Sequence, residues 1–276
     1  MYKKVKINNF EISNELPFFL IAGPCQLENR DHAFYLAESI KKITDELEIN
    51  FVFKTSYDKA NRTSLKSKRG FGIENSIKVF NEIKSKLKLP ILTDVHTAEQ
   101  CEKIKDVIDI IQIPAFLCRQ TDLLIAAAKT NKIINIKKGQ FLAPWDMKNV
   151  ISKVSSSGND KIIATERGVS FGYNTLVSDM RSLSILKKEN YPVVFDATHS
   201  VQQPGGKGTE SSGEREFIYD LSKAAISNGI AGLFVEVHDD PDNAPSDGPN
   251  MLNLKDLKNF LIKIKKIDEL IKGEKL

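Results

Sequence analysis

Short apolar runs recur along this chain, separated by longer stretches that mix apolar and charged residues. Eight runs stand out, at residues 18–23, 50–56, 90–95, 108–114, 132–137, 161–166, 192–198 and 231–238. Continuous apolar stretches such as FFLIAG, PILTDV and PVVFDA suit parallel strands buried on both faces. The segments between them read as amphipathic helices. Thr97-Ala-Glu-Gln100 has the form of a capping box, in which the Thr97 hydroxyl and the Gln100 side chain satisfy free amides of the first turn. Asp146 stands where it can cap the helix after Ala143-Pro144-Trp145. Strict alternation of β and α, eight times over, predicts an α/β chain folded as a (β/α)8 TIM barrel, with an open doubly wound sheet as the structural alternative. Residues 3–13 alternate around Asn8-Asn9 and predict a small N-terminal β-hairpin sealing the barrel floor.

Composition narrows this picture. The 276 residues match one barrel, so a single domain spanning 1–276 is expected. With 41% hydrophobic and 28% charged residues, the chain is globular rather than disordered or fibrous. Forty Lys and Arg against 36 Asp and Glu leave a net charge of +4, too balanced to argue for nucleic acid or an anionic membrane as partner. No apolar run approaches the roughly 20 residues needed to span a bilayer. The first 14 residues lack the apolar stretch and cleavage site of a signal peptide, so a cytoplasmic protein is expected. The three cysteines, Cys25, Cys101 and Cys118, are odd in number and irregularly spaced, which implies no disulfide framework.

In a barrel, the C-terminal ends of the strands and the loops after them face the active-site mouth. Those ends are Gly23-Pro24-Cys25, Lys54-Thr55-Ser56, Asp94-Val95-His96, Gln112 with Arg119 beyond it, Lys137-Lys138, Glu166-Arg167, Asp196-Ala197-Thr198-His199 and Glu236-Val237-His238. Three of the four histidines lie there. Lys54, Lys59, Arg62, Arg119, Lys137 and Arg167 would form a cationic ring. Such charges repel unless anions join them, so a multiply phosphorylated or carboxylated substrate is expected. Cys25, His199, Glu236 and Asp247 offer a thiolate, an imidazole and two carboxylates, which suits Zn, Fe(II) or Mn better than Mg. Their spacing forms no metal-binding pattern by itself. Taken singly, Cys25 reads as a core thiol beside a Gly-Pro turn, and His199 and His238 as hydrogen-bonded rim histidines. Residues 200–213 form a glycine- and serine-rich loop after the seventh run, and loops of that length are usually lids or disordered.

Several blocks resemble the 3-deoxy-D-manno-octulosonate 8-phosphate (KDO 8-phosphate) synthase family. They are Ala22-Gly23-Pro24-Cys25, residues 53–64 (FKTSYDKANRTS), 111–117 (IQIPAFL) and 135–141 (NIKKGQF). Further along come Arg167-Gly168 with Phe171-Gly172-Tyr173, residues 195–202 (FDATHSVQ) and Ser246-Asp247-Gly248-Pro249. The resemblance runs from about residue 21 to 254. It implies a homotetramer that joins phosphoenolpyruvate to D-arabinose 5-phosphate and water, giving KDO 8-phosphate and phosphate for lipopolysaccharide synthesis. Residue by residue, it gives Lys137, Arg167, Lys59 and the Ala115 backbone, with Lys54 beside them, to phosphoenolpyruvate, and Gln112 is a further substrate-binding candidate. Asn61, Arg62 and Thr63 fall to the aldose, with Thr63 where the family often has Ser. Arg119 resembles an arginine that reaches the aldose phosphate of a neighbouring subunit.

The family has metal-dependent and metal-independent branches. The latter has Asn where this chain has Cys25, and commonly Pro where it has Gly139. The resemblance therefore implies the metal-dependent branch, with Cys25, His199, Glu236 and Asp247 as ligands. Carbon 3 of phosphoenolpyruvate would attack the aldehyde, water would add at carbon 2, and phosphate would leave by carbon–oxygen cleavage. Asp94, His96, His199 and Asp247 are the candidates for catalytic roles, the first two and Asp247 in proton relay. The nearest rival is the sister synthase that uses erythrose 4-phosphate, which usually reads Lys-Pro-Arg-Thr where this chain has Lys59-Ala60-Asn61-Arg62-Thr63. A non-catalytic phosphosugar-binding barrel is the alternative from another class.

Overall fold

The eight apolar runs become eight parallel strands: β1 (Phe19–Gly23), β2 (Phe51–Lys54), β3 (Ile91–Asp94), β4 (Ile110–Ile113), β5 (Ile133–Lys137), β6 (Ile162–Glu166), β7 (Val193–Asp196) and β8 (Gly232–His238). They are seen in a computed structural model that describes residues 2–62, 64–205 and 212–273. Each strand pairs with the next, and β8 returns to β1 with Gly232 opposite Phe19 and Phe234 opposite Ile21. The barrel is therefore closed, which excludes the open sheet. Among the described residues, eight helices cover it: α1 (Arg30–Glu46), α2 (Ile73–Leu87), α3 (Ala98–Ile104), α4 (Thr121–Lys129), α5 (Met147–Ser155), α6 (Arg181–Lys187), α7 (Ile218–Ile226) and α8 (Leu254–Gly273). No described helix is long and apolar enough to cross a membrane.

The interior changes character halfway up. Val5, Ile7 and Ile12 of the N-terminal hairpin (Val5–Ile7 with Phe10–Ile12) form one apolar cluster with Phe19, Ile21, Val52, Leu92, Ile110, Ile133, Ile163, Val194 and Phe234. The hairpin thus plugs the floor as expected. Strand side chains alternate, so the residue two positions further along faces the same interior. Val52 leads to Lys54, Leu92 to Asp94, Ile110 to Gln112, Ile133 to Asn135 and Lys137, Val194 to Asp196 and Phe234 to Glu236. All seven of these polar side chains are buried. The intervening residues, such as Phe53, Ile111, Ile136 and Phe195, pack outward with helix residues such as Leu36, Ile40, Leu183 and Leu261.

Close backbone approach fixes two glycines of the barrel strands. A Cβ on Gly23, which has φ +149°, would lie 2.1 Å from the Lys54 carbonyl oxygen, and one on Gly232 would lie 2.5 Å from that of Phe19. Gly23→Ala is expected to cost about 3 kcal/mol, the scale of a core overpacking that backbone cannot absorb. Urea unfolding checks this, and an unchanged midpoint would show that β1 and β2 can separate there.

The capping box of Thr97 and Gln100 is present at α3, where the Gln100 side chain also accepts the His96 amide at 2.6 Å. Asp146 departs from expectation. It precedes α5, but its side chain makes no capping bond, because a 3₁₀ turn over Pro144–Asp146 already leads the backbone into the helix. A second hairpin, Val169–Gly172 with Thr175–Val177, follows β6. It turns through Tyr173 at φ +50° without the glycine pair that would have announced it.

Candidate active site

The polar layer opens into a cavity of about 560 Å³ at the C-terminal mouth. Lys54, Lys59, Asn61, Arg62, Asp94, His96, Gln112, Ala115, Lys137, Arg167, His199 and Asp247 all line it. Cys25 and Glu236 are buried beside it, Cys25 against Asp247 and Glu236 against Lys54. Arg119 is exposed and outside the lining. Thr63 and residues 206–211 of the glycine-rich loop lie outside the described residues. At that loop's ends, Gln202–Gln203 pairs antiparallel with Ser212–Gly213.

The cations are not all waiting for substrate, as the repulsion argument from sequence assumed. Lys54 contacts Glu236 and Lys137 contacts Asp196, both in fully buried ion pairs. Lys138 faces away from the barrel interior and donates to the Gly139 and Leu142 carbonyls, which ties down the loop after β5. The two guanidiniums have neutral partners instead. Arg62 donates to Gln26 Oε1 at 2.7 Å, to Ser246 Oγ at 2.8 Å and to the Pro245 and Lys68 carbonyls. Arg167 donates to Gln202 Oε1 at 2.8 Å, while its other terminal nitrogen is buried with no partner. A buried guanidinium with an idle donor is costly unless an anion meets it.

Burial sets the charge states. It pulls the Lys137 ammonium down to about 8, against the opposing pull of Asp196. For Lys59, burial would lower the pKa, but Cys25 and the carboxylates of Glu236, Asp94 and Asp247 outweigh it and the group stays charged. Burial likewise works to raise Glu236, yet Lys54 and His199 hold it down to about 2. Because Lys137 gains positive charge only below about pH 8, anion capture by the free enzyme should weaken as pH rises through that value. We expect kcat/KM for an anionic substrate to fall above about pH 8, since that ratio reports the free enzyme's groups. Lys137→Arg should move this alkaline limb upward, and a limb that stays in place would assign it to another group.

Cys25, Glu236 and Asp247 each offer a ligand atom, all within 4.8 Å of one another. The Cys25 sulfur lies 3.0 Å from Asp247 Oδ2, and His199 Nε2 lies 3.7 Å from Glu236 Oε1 and 3.9 Å from Asp247 Oδ2. His199 Nδ1 meets Asp196 Oδ2 at 2.7 Å, so the proton belongs on Nδ1 and the Nε2 lone pair faces the carboxylates, with Asp196 fixing the ring as a carboxylate commonly does behind a ligating histidine. Two observations test the fit of a metal. Glu236 Oε2 is buried without a hydrogen-bond partner. The Cys25 thiol is pushed well up by burial and then by Asp247 and Glu236, so the sulfur would ionise beside the two carboxylates only if a cation joined them. A borderline divalent cation suits both, and the donor set fits it.

A second group, Glu28, His32 and His238, is equally compact but reads differently. His238 Nδ1 accepts the Asp240 amide at 2.9 Å, so Nε2 carries the proton and donates it to Glu28 at 2.8 Å. That is the hydrogen-bonded rim histidine, with no lone pair free for a metal.

On the opposite wall, Asp94 receives the Ser56 hydroxyl and lies 3.0 Å from His96 Nε2. Burial opposes ionisation of Asp94, but the His96 bond and Lys59 hold its pKa well below the carboxylate range. Burial would lower His96, yet Asp94 raises it. The pair therefore favours a charged imidazole beside a charged carboxylate. His96 Nδ1 is buried without a partner.

Sequence reasoning quoted Ser56, Asp196, Gln202 and Ser246 within its strand ends and blocks but gave none of them a role. Asp196 stood among the strand-end residues, but only the fold shows it shared between Lys137 and His199. Ser246 sits between Cys25 and Arg62, a role that no local pattern signals.

Known proteins point the same way. A sequence profile described as the DAHP synthetase I family matches residues 3–273. Proteins named 2-dehydro-3-deoxyphosphooctonate aldolase are similar throughout. The one from Brucella anthropi is 61% identical over 269 residues, covering 98% of this chain and 97% of that protein. The one from Bartonella henselae is 61% identical over 268 residues, 97% and 96% of the two chains. The Brucella ovis protein is 59% identical over 269 residues, 98% and 97%.

Proposed function

This chain belongs to the DAHP synthetase I family, and on that footing we propose that it is a metal-dependent KDO 8-phosphate synthase. As such, it condenses phosphoenolpyruvate with D-arabinose 5-phosphate and water to give KDO 8-phosphate and phosphate, for lipopolysaccharide synthesis. The observation that carries this reading is one cavity holding two guanidiniums without carboxylate partners beside a Cys25–Glu236–Asp247 cluster. The names of the relatives favour the octulosonate product over the heptulosonate made from erythrose 4-phosphate.

Lys137, Arg167, Lys59, the Ala115 backbone and, beside them, Lys54 and Gln112 take phosphoenolpyruvate. Asn61, Arg62 and Thr63 take the aldose. Holding both anions together lowers their mutual repulsion and places carbon 3 against the aldehyde. As positive charge grows at carbon 2, the carboxylates that line the cavity, Asp196 and Asp247 among them, offset it. The His96–Asp94 pair takes the proton that water loses on adding there and gives one to the alkoxide left from the aldehyde. Phosphate departs by carbon–oxygen cleavage with the proton of the new carbon 2 hydroxyl. Cys25, His199, Glu236 and Asp247 hold the divalent ion. Bound there, Zn, Fe(II) or Mn supplies Lewis acidity toward the aldehyde or a water.

Residues 1–276 form a single cytoplasmic synthase domain in this reading, assembled as a homotetramer. Exposed Phe116, Phe141, Trp145, Phe171 and Tyr173 on the loops around the mouth support association, and exposed Arg119 is free to serve a neighbour's aldose phosphate.

The test is phosphate release from phosphoenolpyruvate with each sugar phosphate. We expect kcat/KM with arabinose 5-phosphate far above that with erythrose 4-phosphate. Comparable values, or the reverse order, would overturn the assignment.

A further inference from the structure

Resting on that reading of the anion and metal sites, we propose that Gln202 is the positioning residue that joins them, holding Arg167 and Asp247 in register through one carboxamide. Gln202 follows the 3₁₀ turn His199–Val201. Its Oε1 accepts from a terminal nitrogen of Arg167 at 2.8 Å, and its Nε2 donates to Asp247 Oδ1 at 2.8 Å. A guanidinium only donates and a carboxylate only accepts, so the two partners fix which end of the amide is which.

Both partners are left directed by this bridge. With Oδ1 engaged, Asp247 keeps Oδ2 for Cys25 and His199. Asp247 also has a left-handed backbone, φ +54°, a strained position for a residue with a Cβ. Arg167 is planar, so engaging one terminal nitrogen orients the other, which remains buried and unpartnered.

The amide's neutrality is the point. A direct Arg167–Asp247 ion pair would neutralise the cation meant for phosphoenolpyruvate and the carboxylate meant for the metal. Gln202 stands between them, orients both and cancels neither charge. Glutamate would neutralise Arg167 and face Asp247 with like charge. Methionine would fill the space and orient nothing.

The experiment uses the full chain and three variants: Gln202→Met, Gln202→Glu and, as a control, Gln203→Ala. Zinc affinity is read by competition with a chromophoric chelator, phosphoenolpyruvate affinity by calorimetry on zinc-loaded protein, and folding by melting temperature. Gln202→Met should weaken zinc and phosphoenolpyruvate each by about 10-fold or more, the usual effect of removing an outer-shell partner. Gln202→Glu, nearly isosteric and so a safeguard if the methionine variant misfolds, should weaken phosphoenolpyruvate further than methionine does. Gln203→Ala should change neither affinity. A folded Gln202→Met that keeps either affinity overturns the link, because the amide would then serve one site or none. A wild-type protein that binds neither zinc nor phosphoenolpyruvate overturns the site reading itself, and the link with it.

Discussion

Stripping the protein of metal is expected to abolish turnover, and added Zn, Fe(II) or Mn to restore it. The expectation rests on Cys25, whose thiol burial holds protonated until a cation arrives. Metal binding at neutral pH must therefore expel a proton, which a weakly buffered titration can read as acidification independently of activity. His199→Ala should lose both metal and turnover, because Nε2 faces Glu236 and Asp247 from a ring already oriented by Asp196. Cys25→Ala leaves a void where the sulfur lay and should fall more than about 100-fold, beyond the range of outer-shell changes. Cys25→Asn is more informative. Its amide can hydrogen-bond to a water or the aldehyde, so some chelator-resistant activity should survive. Full activity of the wild type at negligible metal content would make Cys25 an ordinary buried thiol.

Arg167→Ala is expected to lose roughly 3 kcal/mol of transition-state stabilisation, on the order of 100-fold in kcat/KM, the scale of truncating a buried charged contact. Its stability should move the other way or stay level. Burial already pulls the Arg167 pKa down, and one of its nitrogens has no partner, so the folded protein without substrate bears the cost of this charge. Loss of activity without loss of melting temperature separates a binding role from a structural one. Arg167→Lys keeps the charge but not the planar fork, and should recover only part of the loss. Near-normal kcat/KM in folded Arg167→Ala would remove this arginine from the site.

Much of the fold was legible because local physics repeats. Buried parallel strands leave unbroken apolar runs, and each run located its strand to within a few residues. The polar ends of those runs also marked the candidate site, since period-two alternation sends Lys54, Asp94, Lys137, Asp196 and Glu236 up the same interior as the apolar residues beneath them. The hairpin after β6 was not legible, because its exposed alternation and Tyr173 turn lack the usual signals.

The sequence by itself determined the alternation of elements, the apolar floor and the kinds of group at the mouth, because these follow from spacing along one strand. Only the tertiary structure decided which groups meet. Cys25 and Asp247 are 222 positions apart yet 3.0 Å apart in space, a contact made when β8 closes against β1. Closure also decided which cations are neutralised: Lys54 and Lys137 face carboxylates across the barrel, while Arg62 and Arg167 meet neutral amides, a hydroxyl and carbonyls. Charge counted along a chain cannot distinguish these cases, because pairing depends on which strands become neighbours.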